Sequence, residues 1–296
     1  MTCVIFNPTA RGDKARRFRS RLSELGPGIQ LVPTAGPDTA PEQAATAVEA
    51  GCTTLVAAGG DGTVNQVLNG LVAARDGLAK ARLGVLPLGT VNVFAKELGI
   101  PADLAGAWRV VQAGHERRID LPMAESGPEG RRERRCFAQM AGAGLDSRAL
   151  GLVDWELKKK FGVLAYVWAS LLAMRGPRPE VTLEADGRTV TGHLVCVGNG
   201  RFLGGRYPVF PHASMDDGKL DAMVVPKMTW TVALKVFAAL WCDRFADSPD
   251  AVHLAARTLT MISATPMPFH LEGDNVGFLP ATFTLQPRAL RVVVPG

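Results

Sequence analysis

The amino-acid sequence predicts a two-domain protein of the α/β + β class, on three observations. Residues 1–120 alternate short apolar runs with helical patterns, which indicates a parallel sheet covered on both faces, and so a three-layer α/β domain. Residues 121–296 contain short runs separated by turn residues, which is typical of mainly antiparallel β structure. The 296 residues suffice for two domains, and the boundary leaves room for the C-terminal tail to return to the first.

The first domain contains four predicted strands and four predicted helices. Its apolar runs predict strands at residues 3–6, 29–32, 53–58 and 83–86. The patterns after these runs predict helices at residues 13–25, 39–50, 64–74 and 91–98. In the third helix the apolar residues recur at three- and four-residue intervals, so one face of this helix is expected to be buried.

The second domain is predicted mainly as strands. They are expected at residues 181–185, 189–197, 220–225, 258–263, 269–272, 282–286 and 290–294. Asp186-Gly187, after the first of them, is a dipeptide typical of a tight β-hairpin turn. Two helical inserts are expected near residues 155–175 and 228–242, and the arginine-rich stretch 131–135 is expected to be a solvated hairpin loop.

Composition and charge limit the classes of function. The net charge of +5 suits phosphate-bearing ligands or an anionic membrane, but no basic stripe interleaved with aromatic residues supports nucleic-acid binding. The five cysteines are scattered and the N-terminus has no leader pattern, so reduced cysteines in a cytoplasmic protein are expected. The five histidines lack the spacing of zinc ligands. The longest apolar stretch, residues 161–174, is shorter than the ~18 residues that a transmembrane helix needs.

A glycine-rich segment after the third predicted strand is the clearest candidate site. Gly59-Gly60-Asp61-Gly62-Thr63 is expected to be a tight loop that leads into a helix. Its glycines permit positive φ and close backbone approach, and N–H groups at a helix N-terminus favour a phosphate. Asp61 beside a phosphate requires a Mg²⁺ ion or a proton relay. The spacing fits neither the P-loop nor the Rossmann fingerprint, and the glycines alone are also compatible with a simple strand-to-helix turn.

Further motifs follow one another in order along nearly the whole chain. In the first half they are Asn7-Pro8, Thr34, the segment 59–63 with Asn65-Gln66-Val67-Leu68-Asn69-Gly70-Leu71, and Leu86-Pro87-Leu88-Gly89-Thr90-Val91-Asn92 before Phe94-Ala95. In the second half they are Ile119-Asp120-Leu121, Gly198-Asn199-Gly200, Gly204-Gly205, Asp216-Asp217-Gly218-Lys219-Leu220-Asp221 and Glu272-Gly273-Asp274. This ordered set resembles the diacylglycerol kinase catalytic family, which includes sphingosine kinases and bacterial lipid kinases.

The resemblance implies an ATP- and Mg²⁺-dependent lipid kinase. Its N-terminal domain would bind the nucleotide, its C-terminal domain would be a β-sandwich for the lipid, and the active site would lie between them. Asp61 and Asp120 are expected in a network of carboxylates and waters around the catalytic Mg²⁺, and Asp274 is expected to be the general base. The residues expected to contact ATP are Asn7, Thr34, Gly59, Gly60, Asp61, Gly62, Thr63 and Thr90.

A second Mg²⁺ site, with a structural function, is also implied by the resemblance. Asp217 would supply a carboxylate, and main-chain carbonyl groups near Ser214 and Lys219 would complete the site. Such oxygen ligands suit Mg²⁺. Asp217-Gly218 is equally compatible with an ordinary turn.

Three differences from the family's pattern bear on the mechanism. Val93 stands where many relatives have the aspartate of Asn-Asp-Phe, and Gln66 stands where a glutamate is common. The base motif reads Glu272-Gly273-Asp274 in place of Asp-Gly-Glu, which shortens the last side chain by one methylene, about 1.5 Å. Either Asp274 lies closer to the substrate, or Glu272 shares its role.

The apolar stretch 161–174 is the predicted entrance for the lipid. Lys158-Lys159-Lys160 precedes it, and Tyr166 and Trp168 within it are amphipathic residues that suit a membrane surface. The helix is expected to border an acyl-chain pocket, with Leu164 and Trp168 as the positions to test. Peripheral contact with the inner face of the membrane follows, although a plain core helix is an equal alternative.

Three alternatives to a kinase of a diacylglycerol-like lipid remain open at this point. One is a kinase of another lipid, such as a sphingoid base. Another is a kinase of a soluble substrate, such as a nicotinamide nucleotide, which the Asp217 motif and the antiparallel second half disfavour. The last is a non-catalytic nucleotide- or lipid-binding regulator, which Asp61, Asp120 and Asp274 disfavour. The sequence leaves the identity of the lipid and the oligomeric state open.

Overall fold

The structure is a computed structural model of the 296-residue chain. It describes every residue except 9–12, 21–25, 27, 37, 129–130, 153–162, 177, 206 and 242–247. The chain forms two compact units. The first unit comprises Met1–Leu121, Cys136–Ala138 and Gln286–Gly296, and the second comprises Pro122–Arg135 and Gln139–Leu285.

A parallel sheet forms the centre of the first unit. Four strands pair in the order β2-β1-β3-β4, and each pair is parallel. Their inner residues, such as Val4 and Val56, are fully buried, as expected for strands covered on both faces. The strands are β1 (Thr2–Phe6), β2 (Ile29–Pro33), β3 (Thr54–Gly59) and β4 (Arg82–Pro87).

Six helices of the first unit are described. They are α1 (Asp13–Ser20), α2 (Ala40–Glu49), α3 (Asp61–Ala73), α4 (Gly77–Lys80), α5 (Val93–Glu97) and α6 (Leu104–Ala113). Helix α3 packs on β3 and on α2 with the apolar face that the sequence predicts, which includes Val67, Leu68 and Leu71. The contact with α2 is close, because a Cβ atom on Gly70 would collide with the backbone carbonyl of Pro41.

The second unit is built mainly from antiparallel strands. One sheet has the order β14-β13-β10-β7-β16-β17, and a second contains β15, β8 and β9. The members of the first sheet are β7 (Met140–Gly144), β10 (Leu194–Gly198), β13 (Leu220–Val225), β14 (Val252–Ala256), β16 (Pro268–Leu271) and β17 (Asp274–Phe278). The others are β8 (Val181–Ala185), β9 (Arg188–Gly192) and β15 (Thr258–Ile262), with the short pair β11 (Phe202–Leu203) and β12 (Tyr207–Pro208).

Three helices of the second unit lie in the described part of the chain, α7 (Leu145–Leu152), α8 (Val163–Ala173) and α9 (Trp230–Trp241). Each contributes side chains to one buried apolar cluster or packs against it, as Ala149, Ala173 and Val232 do. No helix among the described residues is long and apolar enough to cross a membrane. The four cysteines in the described part of the chain are buried free thiols; Cys242 lies outside it.

Three further strands are described, β5 (Glu116–Ser126), β6 (Glu133–Cys136) and the 13-residue β18 (Ala281–Val293). Strand β5 pairs with β6 and with β18. Thr284 of β18 pairs with Thr258 in the second unit, and Val292 pairs with Leu83 in the first.

The predicted fold class is confirmed, and five predicted elements differ from the observed ones. The stretch 189–197 is two strands, because the chain leaves the sheet of β8 and β9 at His193 and continues in the sheet of β10. The stretches 282–286 and 290–294 are one strand, in which Arg288 adopts a positive φ of 50° without ending the strand. The predicted loop 131–135 is partly strand β6, and Arg132 just before this strand and Arg134 within it contact Glu125 of β5. Helix α3 begins three residues earlier than predicted.

Candidate active site

The glycine segment is the start of a helix rather than an extended loop. Gly60 is the N-cap of α3, and its carbonyl accepts the first helical hydrogen bond from Val64 N–H at 3.0 Å. Asp61 and Gly62 therefore lie in the first helical turn. No side chain caps this end of α3, so its N–H groups and the positive end of the helix dipole favour an anion.

The glycines are required for close approach and not for positive φ, which corrects one sequence-based expectation. None of Gly59, Gly60 and Gly62 adopts a positive φ. A Cβ atom on Gly59 would collide with the side chain of Thr63, and one on Gly89 would lie 2.5 Å from the Cα atom of Gly60. The turn after β3 and the turn after β4 therefore approach each other backbone to backbone.

The second turn is held by one hydrogen bond to the first turn and by two within itself. Leu88 N–H donates to the carbonyl of Gly59 at 3.0 Å. The side chain of Asn92 accepts from Gly89 N–H at 2.9 Å and donates to the Gly89 carbonyl at 2.7 Å. Asn92 itself has a positive φ of 54°, a conformation that asparagine tolerates better than most residues. The sequence motif contains Asn92, but its part in closing the turn was not predicted; its three-residue spacing from Gly89 is the available signal.

The carboxylate of Asp61 joins the two turns. Its Oδ1 atom accepts the N–H of Phe94 at 3.1 Å, so the side chain of one helix caps the N-terminus of another, α5. Burial raises the pKa of Asp61 above its ordinary value of 3.8, and hydrogen bonds from the backbone of Val93, Phe94 and Asn92 partly oppose that shift. Asp61 is thus a desolvated acid that the backbone amides hold in place.

A cavity of about 210 Å³ opens beside these turns. Pockets that enclose a drug-sized ligand usually measure ~300–1,000 Å³, so this one suits part of a ligand, such as phosphate groups, better than a whole nucleotide. Thr34, Asp61 and Gly62, three of the residues expected to contact ATP, are absent from its described lining. That lining consists of Phe6, Asn7, Ala15, Phe18, Ala58, Gly59, Gly60, Thr63, Leu88, Gly89 and Thr90.

Asp120 lies within a strand and not at its end. It lies inside β5, its side chain is fully buried, and its Oδ1 atom accepts the N–H of Arg288 at 2.7 Å. Arg288 is the residue of β18 with positive φ, so Asp120 fixes the backbone at this irregular point. The expected proximity of Asp120 to Mg²⁺ stays a prediction.

Glu272 and Asp274 have unequal surroundings in the second unit. Glu272 has a positive φ of 53°, and its Oε1 atom accepts the N–H groups of Gln139 at 2.6 Å and Met140 at 3.2 Å. Its own N–H donates to the Met140 carbonyl at 3.0 Å. Asp274, the first residue of β17, has an exposed side chain. The structure therefore brings the two carboxylates to one turn, with Glu272 bound to the backbone.

The loop expected to hold a structural Mg²⁺ carries two hydrogen-bonded carboxylates. Asp217 Oδ1 accepts the N–H of Lys219 at 3.0 Å, and Ser214 donates its hydroxyl to Asp216 at 2.7 Å. Burial, and then the charge of Asp217, raise the pKa of Asp221 to about 6. A cation would relieve this repulsion, which fits the expected site. Among the described residues, however, no group of three or more His, Cys, Asp or Glu side chains is arranged to bind a metal.

Two family models match the chain. The diacylglycerol kinase catalytic domain matches residues 1–124, and the YegS C-terminal NAD kinase beta sandwich-like domain matches residues 139–294. The matches confirm the resemblance read from the motifs, and they place the glycine turns in the first domain and the turn 272–274 in the second.

Curated relatives and solved structures agree with these models. Diacylglycerol kinases of Staphylococcus aureus and Staphylococcus epidermidis are 27% identical over 301 residues, which cover 99% of this chain and 91% of theirs. A solved structure of a Bacillus anthracis protein proposed to be a diacylglycerol kinase superposes with a TM-score of 0.80 at 24% identity, over 99% of this chain and 95% of that one. A second, of a diacylglycerol kinase from the same organism, gives 0.71 at 21%, over 99% and 96%. The structural matches establish the fold.

Asp61→Asn should raise the stability of the Mg²⁺-free protein at pH 7. The asparagine oxygen still accepts the Phe94 N–H, but no charge is buried. Because the folded-state pKa is raised, stability present at low pH is lost as the pH rises from the ordinary value of 3.8 through the folded pKa. The difference in unfolding midpoint between variant and wild type should therefore be largest at pH 7 and shrink towards pH 4. A variant that is less stable than wild type at pH 7 would contradict this account.

Proposed function

The chain belongs to the diacylglycerol kinase catalytic-domain family, and we propose that it is a lipid kinase that transfers the γ-phosphate of ATP to a hydroxyl of a diacylglycerol-like lipid. The observation that carries the proposal is the pair of glycine turns that Asp61 joins beside a cavity. Backbone N–H groups at the N-terminus of a 13-residue helix provide donors for phosphate oxygens without a bulky side chain in the way.

The nucleotide phosphates are assigned to the first unit. Gly59, Gly60 and Thr63 on one turn and Thr90 on the other line the cavity, together with Asn7 at the end of β1. The narrow approach of the turns allows phosphate oxygens to reach backbone amides, which fixes their position for in-line transfer. The expected contacts of Thr34, Asp61 and Gly62 with ATP remain predictions, because these residues are not part of the described lining of the cavity.

Mg²⁺ would be held by Asp61 through bound water. The ion usually keeps several waters and takes one or two carboxylates together with substrate phosphates, which a single carboxylate at the phosphate turn fits. When bound, it neutralises the charge that develops on the phosphate oxygens. Val93 occupies the place of a further acid, so this part of the chain supplies fewer negative groups than many relatives do.

Asp274 is proposed as the proton acceptor for the lipid hydroxyl. Two backbone N–H groups bind Oε1 of Glu272, so this carboxylate is engaged in holding the turn. Glu272 therefore shapes the turn, while the exposed Asp274 receives the proton. Asp217, with the main chain near Ser214 and Lys219, is proposed to bind a structural Mg²⁺.

Peripheral contact with the inner face of the membrane, in a cytoplasmic protein, belongs to the same proposal. On helix α8, Trp168 is 53% exposed and Leu171 is 37% exposed, and on α9 Trp230 and Leu234 are 48% and 73% exposed. Large exposed apolar residues on two helices suit insertion among lipid headgroups. The side chain of Leu164 and the residues Lys158-Lys159-Lys160 lie outside the described part of the chain.

Purified wild-type protein should transfer labelled γ-phosphate from ATP to diacylglycerol in mixed micelles with Mg²⁺. Asp274→Asn should lower kcat by about 10²–10⁴-fold, the usual contribution of a general base, and Asp61→Asn should remove most of the activity. Asp186→Asn, in the exposed β8–β9 turn, is a matched control that should retain full activity. A wild-type protein that binds ATP and labels no lipid would support the non-catalytic regulator instead, and a panel that includes a sphingoid base identifies the preferred lipid.

Trp168→Glu combined with Leu171→Glu should weaken binding to vesicles that contain anionic lipid. The two changes place charge on an exposed apolar surface, so the expected loss of vesicle-dependent activity is about tenfold, while ATP affinity and the unfolding midpoint stay unchanged. Ile262→Glu, at a β15 residue that is also 37% exposed, is the control. Vesicle sedimentation and activity that match the wild type would remove α8 from the proposed membrane surface.

A further inference from the structure

The second unit contains a buried acid–imidazole pair that the proposed reaction does not use directly. His270 is 0% exposed, and its Nε2 atom lies 2.8 Å from Oδ2 of Asp146, which is 8% exposed. The thiol of Cys196 donates to the same oxygen at 3.6 Å. The other ring nitrogen of His270, Nδ1, has no hydrogen-bond partner among the described residues.

We propose that His270 and Asp146 are positioning residues, which fix the register of β16 on β7 and so hold Glu272 and Asp274 in place for the reaction. The kinetic part of this inference rests on the proposed lipid kinase activity. The structural part does not, because it concerns the order of one turn.

The register between the two strands leads directly into the turn. Opposite β7, His270 pairs with Gly142 and Leu271 pairs with Ala141. The next residue along, Glu272, continues the same ladder through its N–H and carboxylate to Met140 and Gln139. A one-residue slip of β16 would therefore remove the hydrogen bonds of Glu272 and displace Asp274.

An independent constraint on this register is needed at His270. The pairing of β16 with β17 is irregular between Phe269 and His270, so that side of the strand does not define the alignment by itself. Asp146 lies in the first turn of α7, a helix that packs on β7, β10, β16 and β17. A hydrogen bond from His270 to Asp146 thus ties β16 to a separate element.

The sequence of β7 makes room for this bond. A Cβ atom on Gly142 would lie 2.5 Å from Nε2 of His270 and 2.7 Å from Oδ2 of Asp146. Any larger residue at position 142 would enter the contact between the two polar atoms. Gly142 has an ordinary negative φ, so its requirement for glycine comes from this space and not from its backbone conformation.

A catalytic triad, with Cys196 as the nucleophile beside His270 and Asp146, explains these residues less well. Cys196 is 1% exposed, and burial followed by the nearby charge of Asp146 raises the pKa of its thiol, so it is a poor nucleophile. Stability alone is also a weak explanation, since apolar residues of similar volume often replace buried polar pairs without loss. A fixed geometry is the property that the pair provides and apolar packing does not.

The test compares Gly142→Ala with Gly151→Ala, a control on α7 where a Cβ atom meets nothing within 4 Å. Gly142→Ala should lower kcat for lipid phosphorylation by about 10- to 100-fold, the usual effect of misplacing a reacting group, and leave KM for ATP unchanged. His270→Gln should retain activity, because its amide nitrogen reaches the place of Nε2, whereas His270→Leu should lose it.

Hydrogen exchange on the full-length protein separates this inference from the proposed function. In Gly142→Ala and His270→Leu the amides of Gln139 and Met140 should exchange about tenfold faster, while those of Val195 and Val197 in β10 stay protected. If exchange is faster in the two variants and the wild-type protein phosphorylates no lipid, the role in positioning the turn stands and the proposed kinase activity is rejected. Unchanged exchange and unchanged kcat in Gly142→Ala, or equal loss in His270→Gln and His270→Leu, would overturn the inference.

Discussion

The hydrogen bond from Phe94 N–H to the carboxylate of Asp61 is the interaction on which the candidate site depends. It links the start of α3 to the start of α5, and so connects the turn after β3 to the turn after β4. The parallel pairing of β3 with β4 brings the ends of both strands to one edge of the sheet, where ligands of α/β domains usually bind. Asp61 converts this proximity into a fixed distance between the two turns.

Without a bound cation, the burial of the charged Asp61 carboxylate destabilises the folded protein. Burial raises the pKa of Asp61, so the folded protein resists the charge that Mg²⁺ chemistry needs. Backbone amides offset part of that penalty and hold the side chain in one orientation. A site that is unstable alone and satisfied by a metal–nucleotide complex is a common compromise between stability and activity.

The fold class and most strands of the chain follow from local patterns, because apolar runs and glycine positions carry that information along the sequence. The phosphate turn was also located, and close backbone approach was one of the two reasons expected for its glycines; the other, positive φ, was wrong. Gly59 and Gly89 are required by neighbours in space, Thr63 and Gly60, and not by positive φ. Only the arrangement of two strands reveals that requirement.

Long-range partners of single side chains were the least predictable feature. Asp120 accepts from Arg288, which is 168 residues away, and Glu272 accepts from Gln139, which is 133 residues away. Motif order predicted that these acids matter, yet no local pattern distinguishes an acid that contacts substrate from one that fixes the backbone. His270 is the extreme case, since a lone buried histidine has no sequence signature that separates it from an ordinary core residue.

The most direct test of the two-turn site is equilibrium binding of ATP with Mg²⁺ to Gly89→Ala, measured by calorimetry beside the wild type. The added methyl group would lie 2.5 Å from the Cα atom of Gly60 and 2.7 Å from Oδ1 of Asn92, so the two turns must separate and the side chain of Asn92 must move. The account predicts that affinity falls at least about tenfold, equivalent to ~1.4 kcal/mol, with little change in the unfolding midpoint. Wild-type affinity in a folded Gly89→Ala protein would contradict the claim that this close approach forms the phosphate site.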